Sequence, residues 1–480
     1  MSASIHSPGK HEDGSATASR AAVRSSRQVV ANGAPSLLNE GLIAGSVHLL
    51  RRAGVVLVVQ VVGAGLAYGL QVLLARLMGA SDYGVYTYVY VWVTFVSLLA
   101  GLGFPAASIR FLPVYRVQQD WPRIRGFMRS TSRFTYATAI AIALCAVVSA
   151  EALRAFGLLT GSSSIVFGAL LVPALAGSML YTEFARAGNR VGVAFIPSMI
   201  ARPTLIGIGG GLLFILRGTL STGGAFGATL ISAYTVLAIQ YVLTRHLFDG
   251  PKKAEHHPIV ELREWFGVGI SLLAAGAFII MFLQVDIVIV GAFLGPRDAG
   301  IYAAASKTAT LVGFVVVAVN AAAAPQFASL WALGQVDELQ RLVSKLASII
   351  FWPSLAISVG IAALSGPLLG LFGPEFEEAR PALLVLLVSQ LVSAAAGSVG
   401  YLLTLTGYHR EATLALGLSA LVCALLAVAG VLTLGLVGAA LGTTIGFLLW
   451  NGSLYWLVVR KLGIYPSIFS TIHIHLPHRR

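Results

Sequence analysis

Apolar residues along this chain come in runs of about twenty or more, separated by short polar stretches. An α-helix rises 1.5 Å per residue, so a run of about 20 covers the roughly 30 Å of hydrocarbon in a bilayer. The pattern predicts twelve spans, at 54–77, 84–109, 130–150, 165–186, 193–216, 224–246, 265–292, 300–326, 346–371, 381–406, 412–433 and 436–458. Backbone groups inside hydrocarbon must be satisfied within their own segment, and helices do this. The expected class is an all-α integral membrane protein.

The polar stretches carry a second regularity. MGASDYGVYTY at 78–88 returns as LGPRDAGIYAA at 294–304, which sets Gly79 on Gly295, Asp82 on Asp298, Gly84 on Gly300 and Tyr86 on Tyr302. At the same separation Phe111 falls on Phe327, Arg125 on Arg341 and Arg129 on Lys345. Six spans repeat as six. An even number per copy keeps both copies the same way up, and parallel halves of this kind usually enclose a substrate path. The expected organisation is a disordered tail 1–47, a six-helix lobe 48–248, an inter-lobe loop 249–263, a second six-helix lobe 264–461 and a tail 462–480, with a cavity between the lobes. The repeated turns are expected to be structural. Gly79 and Gly295 would end one helix, Asp82 and Asp298 would cap the next, and Gly84 with Tyr86, like Gly300 with Tyr302, would lie in its interfacial first turn.

Composition agrees with a lipid solvent: 57% of residues are hydrophobic, 11% are charged, and the mean hydropathy is +0.84. The formal net charge of +13 looks at first like a signal for nucleic acid. Threaded through twelve spans, however, 25 of the 32 Lys and Arg residues fall on one side and 5 on the other, with Arg202 and Lys307 inside spans. That bias places both termini in the cytoplasm and assigns the charge to anionic lipid at the cytoplasmic membrane, so nucleic acid is not an expected partner. Cys145 and Cys423 lie in apolar runs and suggest no disulfide framework. His256 and His257, and the tail histidines 473, 475 and 478, have no companion Cys or carboxylate to complete a metal site. No Gly-Lys-Ser/Thr phosphate loop occurs, so the chain is not expected to hydrolyse ATP, to use a cofactor or to act as an enzyme.

Several stretches, taken in order, resemble a known family. They are Gly79-Ala-Ser-Asp82-Tyr-Gly84-Val-Tyr86, Gln284-Val-Asp286 through Gly300-Ile-Tyr302, Phe372-Gly373-Pro374-Glu375-Phe376, and Gly435-Leu-Val-Gly438 running to Arg460-Lys461-Leu-Gly463. Together they are similar to the polysaccharide-transporter, or O-antigen flippase, branch of the multidrug, oligosaccharidyl-lipid and polysaccharide exporter superfamily. The resemblance implies two lobes in a V around a cavity with alternating access, and a polyprenyl-diphosphate-linked sugar as substrate. It also makes membrane lipids, and a polysaccharide polymerase or glycosyltransferases, candidate partners. Two other readings stay open. One is a cation-coupled drug exporter, which would want an acidic cavity; the other is a non-transporting scaffold of an envelope-polysaccharide assembly complex.

A flippase needs no covalent chemistry, so its working residues should be polar groups inside spans. A charge at a helix centre costs about 2.5–3.5 kcal/mol on insertion scales and calls for a partner, a cavity or a ligand. Arg202, followed by Pro203 in the fifth span, is a candidate cation for the diphosphate or a partner for Glu183. Asp286 and Lys307 should lie at similar depth and form either a structural pair or a head-group contact with a coupling carboxylate. Arg110 closes the second span at the cytoplasmic face, as an entry contact or as ordinary positive-inside charge. Gln60, Gln71, Gln284, Asn320 and Gln390 would line the cavity or hydrogen-bond between helices.

Overall fold

The computed structural model describes residues 58–156, 163–248 and 257–468, together with the helical backbone of 35–57. Most of the expected tails and of the inter-lobe loop 249–263, including His256 and the tail histidines, lie outside these residues. Among the described residues all regular structure is helical. Among the described residues ten helices are long and apolar enough to cross a membrane, which makes this a multi-pass membrane protein.

Two of the ten are interrupted. Helix α1 (Pro35–Ala100) breaks at Gly79, with φ 77° and ψ 169°. The last helix, α14 (His409–Leu462), breaks at Gly435, with φ 60° and ψ −134°. Positive φ is strained for residues with a Cβ, so glycine can reverse the path within one residue. The runs expected at 54–77 and 84–109 lie on the two sides of Gly79, and those at 412–433 and 436–458 on the two sides of Gly435.

The remaining elements of the first half are α2 (Phe104–Val117), α3 (Trp121–Ala155), α4 (Ser163–Ala187), α5 (Val191–Ile196), α6 (Arg202–Arg217) and α7 (Thr222–Thr244). Those of the second half are α8 (Leu262–Phe293), α9 (Pro296–Ala332), α10 (Val336–Ala363), α11 (Ser365–Gly370), α12 (Arg380–Ala396) and α13 (Val399–Leu405). Packing is mostly within each half: α4 lies against α2, α3 and α7, while α14 lies against α8 and α12, and α9 against α10 and α12. The start of α8 is an exception, because it enters the first half's core. There Trp265 is fully buried, with its ring 5.1 Å from that of Phe127 and its indole N–H donating to the Tyr115 hydroxyl at 3.2 Å.

The repeated turn differs from its expected form. Gly295, at φ 98° and ψ 176°, is itself the N-cap of α9, with Pro296 as the first helical residue and Asp298 inside the first turn. Gly79 has nearly the same dihedrals. Proline at the first position is pre-set for a helix and has no N–H to leave unsatisfied, so α9 starts two residues before Asp298 and needs no side-chain cap there. Asp82 instead accepts from the Thr222 hydroxyl at 2.9 Å. Tyr86 and Tyr302 are not interfacial: they are 3% and 0% exposed. Gly84 and Gly300 lie where the two copies of the turn meet. A Cβ added to Gly84 would strike the Pro296 carbonyl, and one added to Gly300 would strike the Ala80 carbonyl. The repeat makes these two contacts equivalent, so they form a two-fold-like clasp.

Candidate functional site

A cavity of about 220 Å³ lies between the halves. The first half contributes Gln71, Tyr86, Tyr90 and Thr94, and the second contributes Gln284 from α8 and Lys307 from α9. Tyr86, Tyr90 and Thr94 are spaced four apart, which puts them on one face of their helix. The Tyr86 and Tyr90 rings stack at 5.9 Å and 17°. Gln71 accepts from the Tyr83 hydroxyl at 2.8 Å through its carbonyl oxygen, and its amide nitrogen carries two N–H donors. Lys307 Nζ donates to Gln284 Oε1 at 3.3 Å. Lys307 is the charged residue among those lining the cavity, and none of them is a carboxylate.

Asp286 does not pair with Lys307. Its carboxylate is buried in the second half, where it accepts from the Tyr302 hydroxyl at 3.0 Å, the Thr443 hydroxyl at 3.2 Å and the Ile287 N–H at 2.8 Å. Helical rise gives depth but says nothing of direction. Successive residues turn by about 100°, so Gln284 and Asp286 point to nearly opposite faces of α8. Gln284 therefore faces Lys307, and Asp286 faces the helices behind. A small void of about 30 Å³ lies beside Asp286, lined also by Ser389, Gln390 and Thr443.

Arg202 is held inside the first half. Its Nη2 donates to Ser178 Oγ at 2.7 Å, Ser178 Oγ donates to Gln240 Oε1 at 2.6 Å, and Gln240 Nε2 donates to Thr182 Oγ1 at 2.8 Å. Its carbonyl accepts from Ser232 at 3.0 Å, and its Nε is buried without a partner among the described residues. Arg202 is not among the residues lining the cavity, and its alternative pair with Glu183 is not formed among the described residues. Glu183 instead accepts from Arg186 at 2.8 Å, one turn along the same helix. Arg202 meets α4 at Ser178, about 7.5 Å of helical rise from Glu183. A π-helical turn at Pro197–Ala201 lies directly before Arg202 and Pro203. Proline supplies no N–H to the preceding turn, and a wider turn absorbs the mismatch.

The sequence profile of the family described as "Polysaccharide biosynthesis protein" matches residues 49–331, more than half of the chain. The chain belongs to this family. No curated protein matches it. Among solved structures, a multidrug resistance MATE family transporter of the MOP superfamily in an inward-facing conformation has a TM-score of 0.65 at 15% identity, over 86% of this chain and 96% of that one. An outward-facing conformation of such a transporter scores 0.60 at 14% identity, over 86% and 94%. A MOP superfamily transporter from Pyrococcus furiosus, whose description names a reversed polarity of its binding pocket, scores 0.59 at 15% identity, over 85% and 95%. At these identities the likeness establishes a shared transporter fold.

Within this member of the polysaccharide biosynthesis family, the remaining candidates stand apart from the cavity. Arg110 is exposed on α2, its guanidinium 6.0 Å from the ring of Phe111. The residues that sequence reasoning passed over are Tyr90 and Thr94. Their signal was available, since with Tyr86 they make a polar stripe at four-residue spacing in an otherwise apolar run. Gln71 and Gln284 line the cavity as one of their two expected roles, whereas Gln390 borders the void at Asp286. Gln60 and Asn320 each keep a buried side-chain oxygen with no partner among the described residues.

Proposed function

We propose that the protein is a flippase for a polyprenyl-diphosphate-linked oligosaccharide or related polysaccharide precursor, working by alternating access in the cytoplasmic membrane with both termini in the cytoplasm. Counting each interrupted helix as two spans makes twelve, six in each of two lobes, with the cavity between them. One observation carries the substrate class: the cavity presents a cation, surrounding amide and hydroxyl donors, and no carboxylate. Lys307 binds the diphosphate, while Gln71 and Gln284 supply N–H donors to oxygens of the phosphate or the first sugar. In a partly dehydrated cavity such charge-assisted hydrogen bonds are stronger than neutral ones. The reversed pocket polarity named for the Pyrococcus furiosus relative fits the same reading.

An exporter of lipophilic cations would have to bring its substrate against Lys307, and Asp286, the nearest carboxylate on α8, faces away from the cavity. Arg202, bound to Ser178 inside the first half, is not among the residues lining the cavity. The test is ligand binding by the purified protein, read as thermal stabilisation and by native mass spectrometry. A prenyl-diphosphate sugar should bind and stabilise, Lys307→Met should abolish the effect, and a lipophilic cation should do neither. Stabilisation by the cation, insensitive to Lys307, would replace this reading with the drug-exporter one, and no binding of either ligand would favour a scaffold.

A further inference from the structure

The stretch Phe372-Gly373-Pro374-Glu375-Phe376 takes no part in the cavity, yet it makes a dense set of contacts with the other half. It follows α11 and carries the short 3₁₀ turn Pro374–Ala379. Phe372 meets Tyr68 edge-on at 5.7 Å, and Phe376 meets Tyr83 edge-on at 5.9 Å. Both phenylalanines are fully buried. Between them Glu375 Oε1 accepts from the backbone N–H of Ala80 at 2.6 Å. Ala80 is the first residue after the break at Gly79, so this N–H is one of those a helix start leaves without an intrahelical partner. Gly79 has no side chain to cap it, and the cap arrives from the other half of the molecule. Arg76 adds a longer bond to the Leu371 carbonyl at 3.5 Å.

At the one described position where the repeat allows a comparison, the two halves differ. Phe372 and Gly373 correspond to Phe156 and Gly157 at the 216-residue separation, but Phe156 is 79% exposed whereas Phe372 is 0% exposed. The two turns containing Gly84 and Gly300 meet symmetrically, whereas Phe372 and its counterpart Phe156 differ in burial.

We propose that residues 371–376 are a latch, carried by the second half, that locks the Gly79/Gly295 end of the cavity shut. Opening that end withdraws Phe372 and Phe376 from Tyr68 and Tyr83 and uncaps the helix starting at Ala80. The glycine clasp sets how closely the two turns approach, while the latch sets how often they part. The proposal rests on the two-lobe reading for what opens, but its test needs neither substrate nor transport.

The test places spin labels at Ser81→Cys and Glu377→Cys, both exposed, in the full-length protein with Cys145 and Cys423 changed to Ala. The pair reports the distance across this end. The latched protein should give mainly the short distance. Glu375→Ala should raise the ratio of long to short distances about fivefold, the usual scale of a lost N-terminal cap. Phe372→Ala with Phe376→Ala should raise it more than about tenfold. Glu375→Gln keeps an oxygen acceptor and should stay near the parent, and Phe156→Ala should not move it. An unchanged distribution in Glu375→Ala, which alters an exposed side chain and leaves the core intact, would overturn the proposal. An equal response to Phe156→Ala would also overturn it, by removing the asymmetry. If the distances shift as described while prenyl-diphosphate sugar fails to bind, the latch stands and the substrate reading falls.

Discussion

Arg202 and Lys307 are the two cations inside apolar runs, and on the sequence they look alike. In the structure they stand in opposite situations. Arg202 is tied into Ser178, Gln240 and Thr182 within the first half. Lys307 has, among the described residues, one neutral hydrogen bond, to Gln284, and borders a cavity shared by both halves. Both carry the insertion cost of a membrane-embedded charge. What differs is whether the surrounding groups already use the charge's donors. A captive cation shapes one half of the molecule, whereas a cation with unused donors at the junction of two halves is available to a ligand.

Substitutions can break or sharpen this contrast. The largest effect is expected at Lys307: Lys307→Met should slow translocation of a prenyl-diphosphate sugar by about 10- to 150-fold, the scale of one lost hydrogen bond to a charged group. Adding Asp286→Leu should not restore it, because Asp286 is satisfied by Tyr302, Thr443 and Ile287 and not by Lys307. Recovery in the double variant would reinstate the ion pair. Next, Lys307→Gln with Gln71→Lys moves the cation to the opposite wall of the same cavity; it should recover binding to within about tenfold of the parent, since charge is conserved while reach changes. Arg202→Met should cost about two- to fivefold in rate, as expected of a charge acting at a distance. Its thermal stability should stay close to the parent's, because an apolar replacement also removes a buried, incompletely partnered charge. The smallest effect is at Glu183, whose one-turn pair with Arg186 is of a kind worth about 0.3–0.5 kcal/mol. Glu183→Gln should leave transport within about twofold and barely change the melting temperature.

Much of the fold is legible in the sequence, because apolar run length and the 216-residue repeat are long-range signals that survive local irregularity. The ten long helices overlap the runs and the breaks at Gly79 and Gly435 fall between runs, although the runs 84–109 and 381–406 continue past the helix ends at Ala100 and Ala396. The cap assignment at Asp82 and Asp298 failed by three residues. Asp three places after Gly resembles a cap in composition, and only the dihedrals at Gly79 and Gly295 show that the helix has already begun. Candidate site residues are harder to place. Depth in the membrane follows from counting, but facing does not, and two residues along α8 separate Gln284 in the cavity from Asp286 in the interior. The contact of Glu375 with Ala80, 295 residues apart in sequence, leaves no periodic trace. The stripe of Tyr86, Tyr90 and Thr94 does leave one, and polar residues at four-residue spacing within an apolar span are a usable pointer to a path.

The central claim is that an anionic sugar-lipid crosses the membrane by way of Lys307. Reconstitution of the parent protein and Lys307→Met into vesicles, with a fluorescent prenyl-diphosphate sugar in the inner leaflet, measures this directly as the rate at which the label becomes accessible outside. The account predicts translocation by the parent and at least about a tenfold slower rate for the variant at equal incorporation. Equal rates for the two proteins would contradict it.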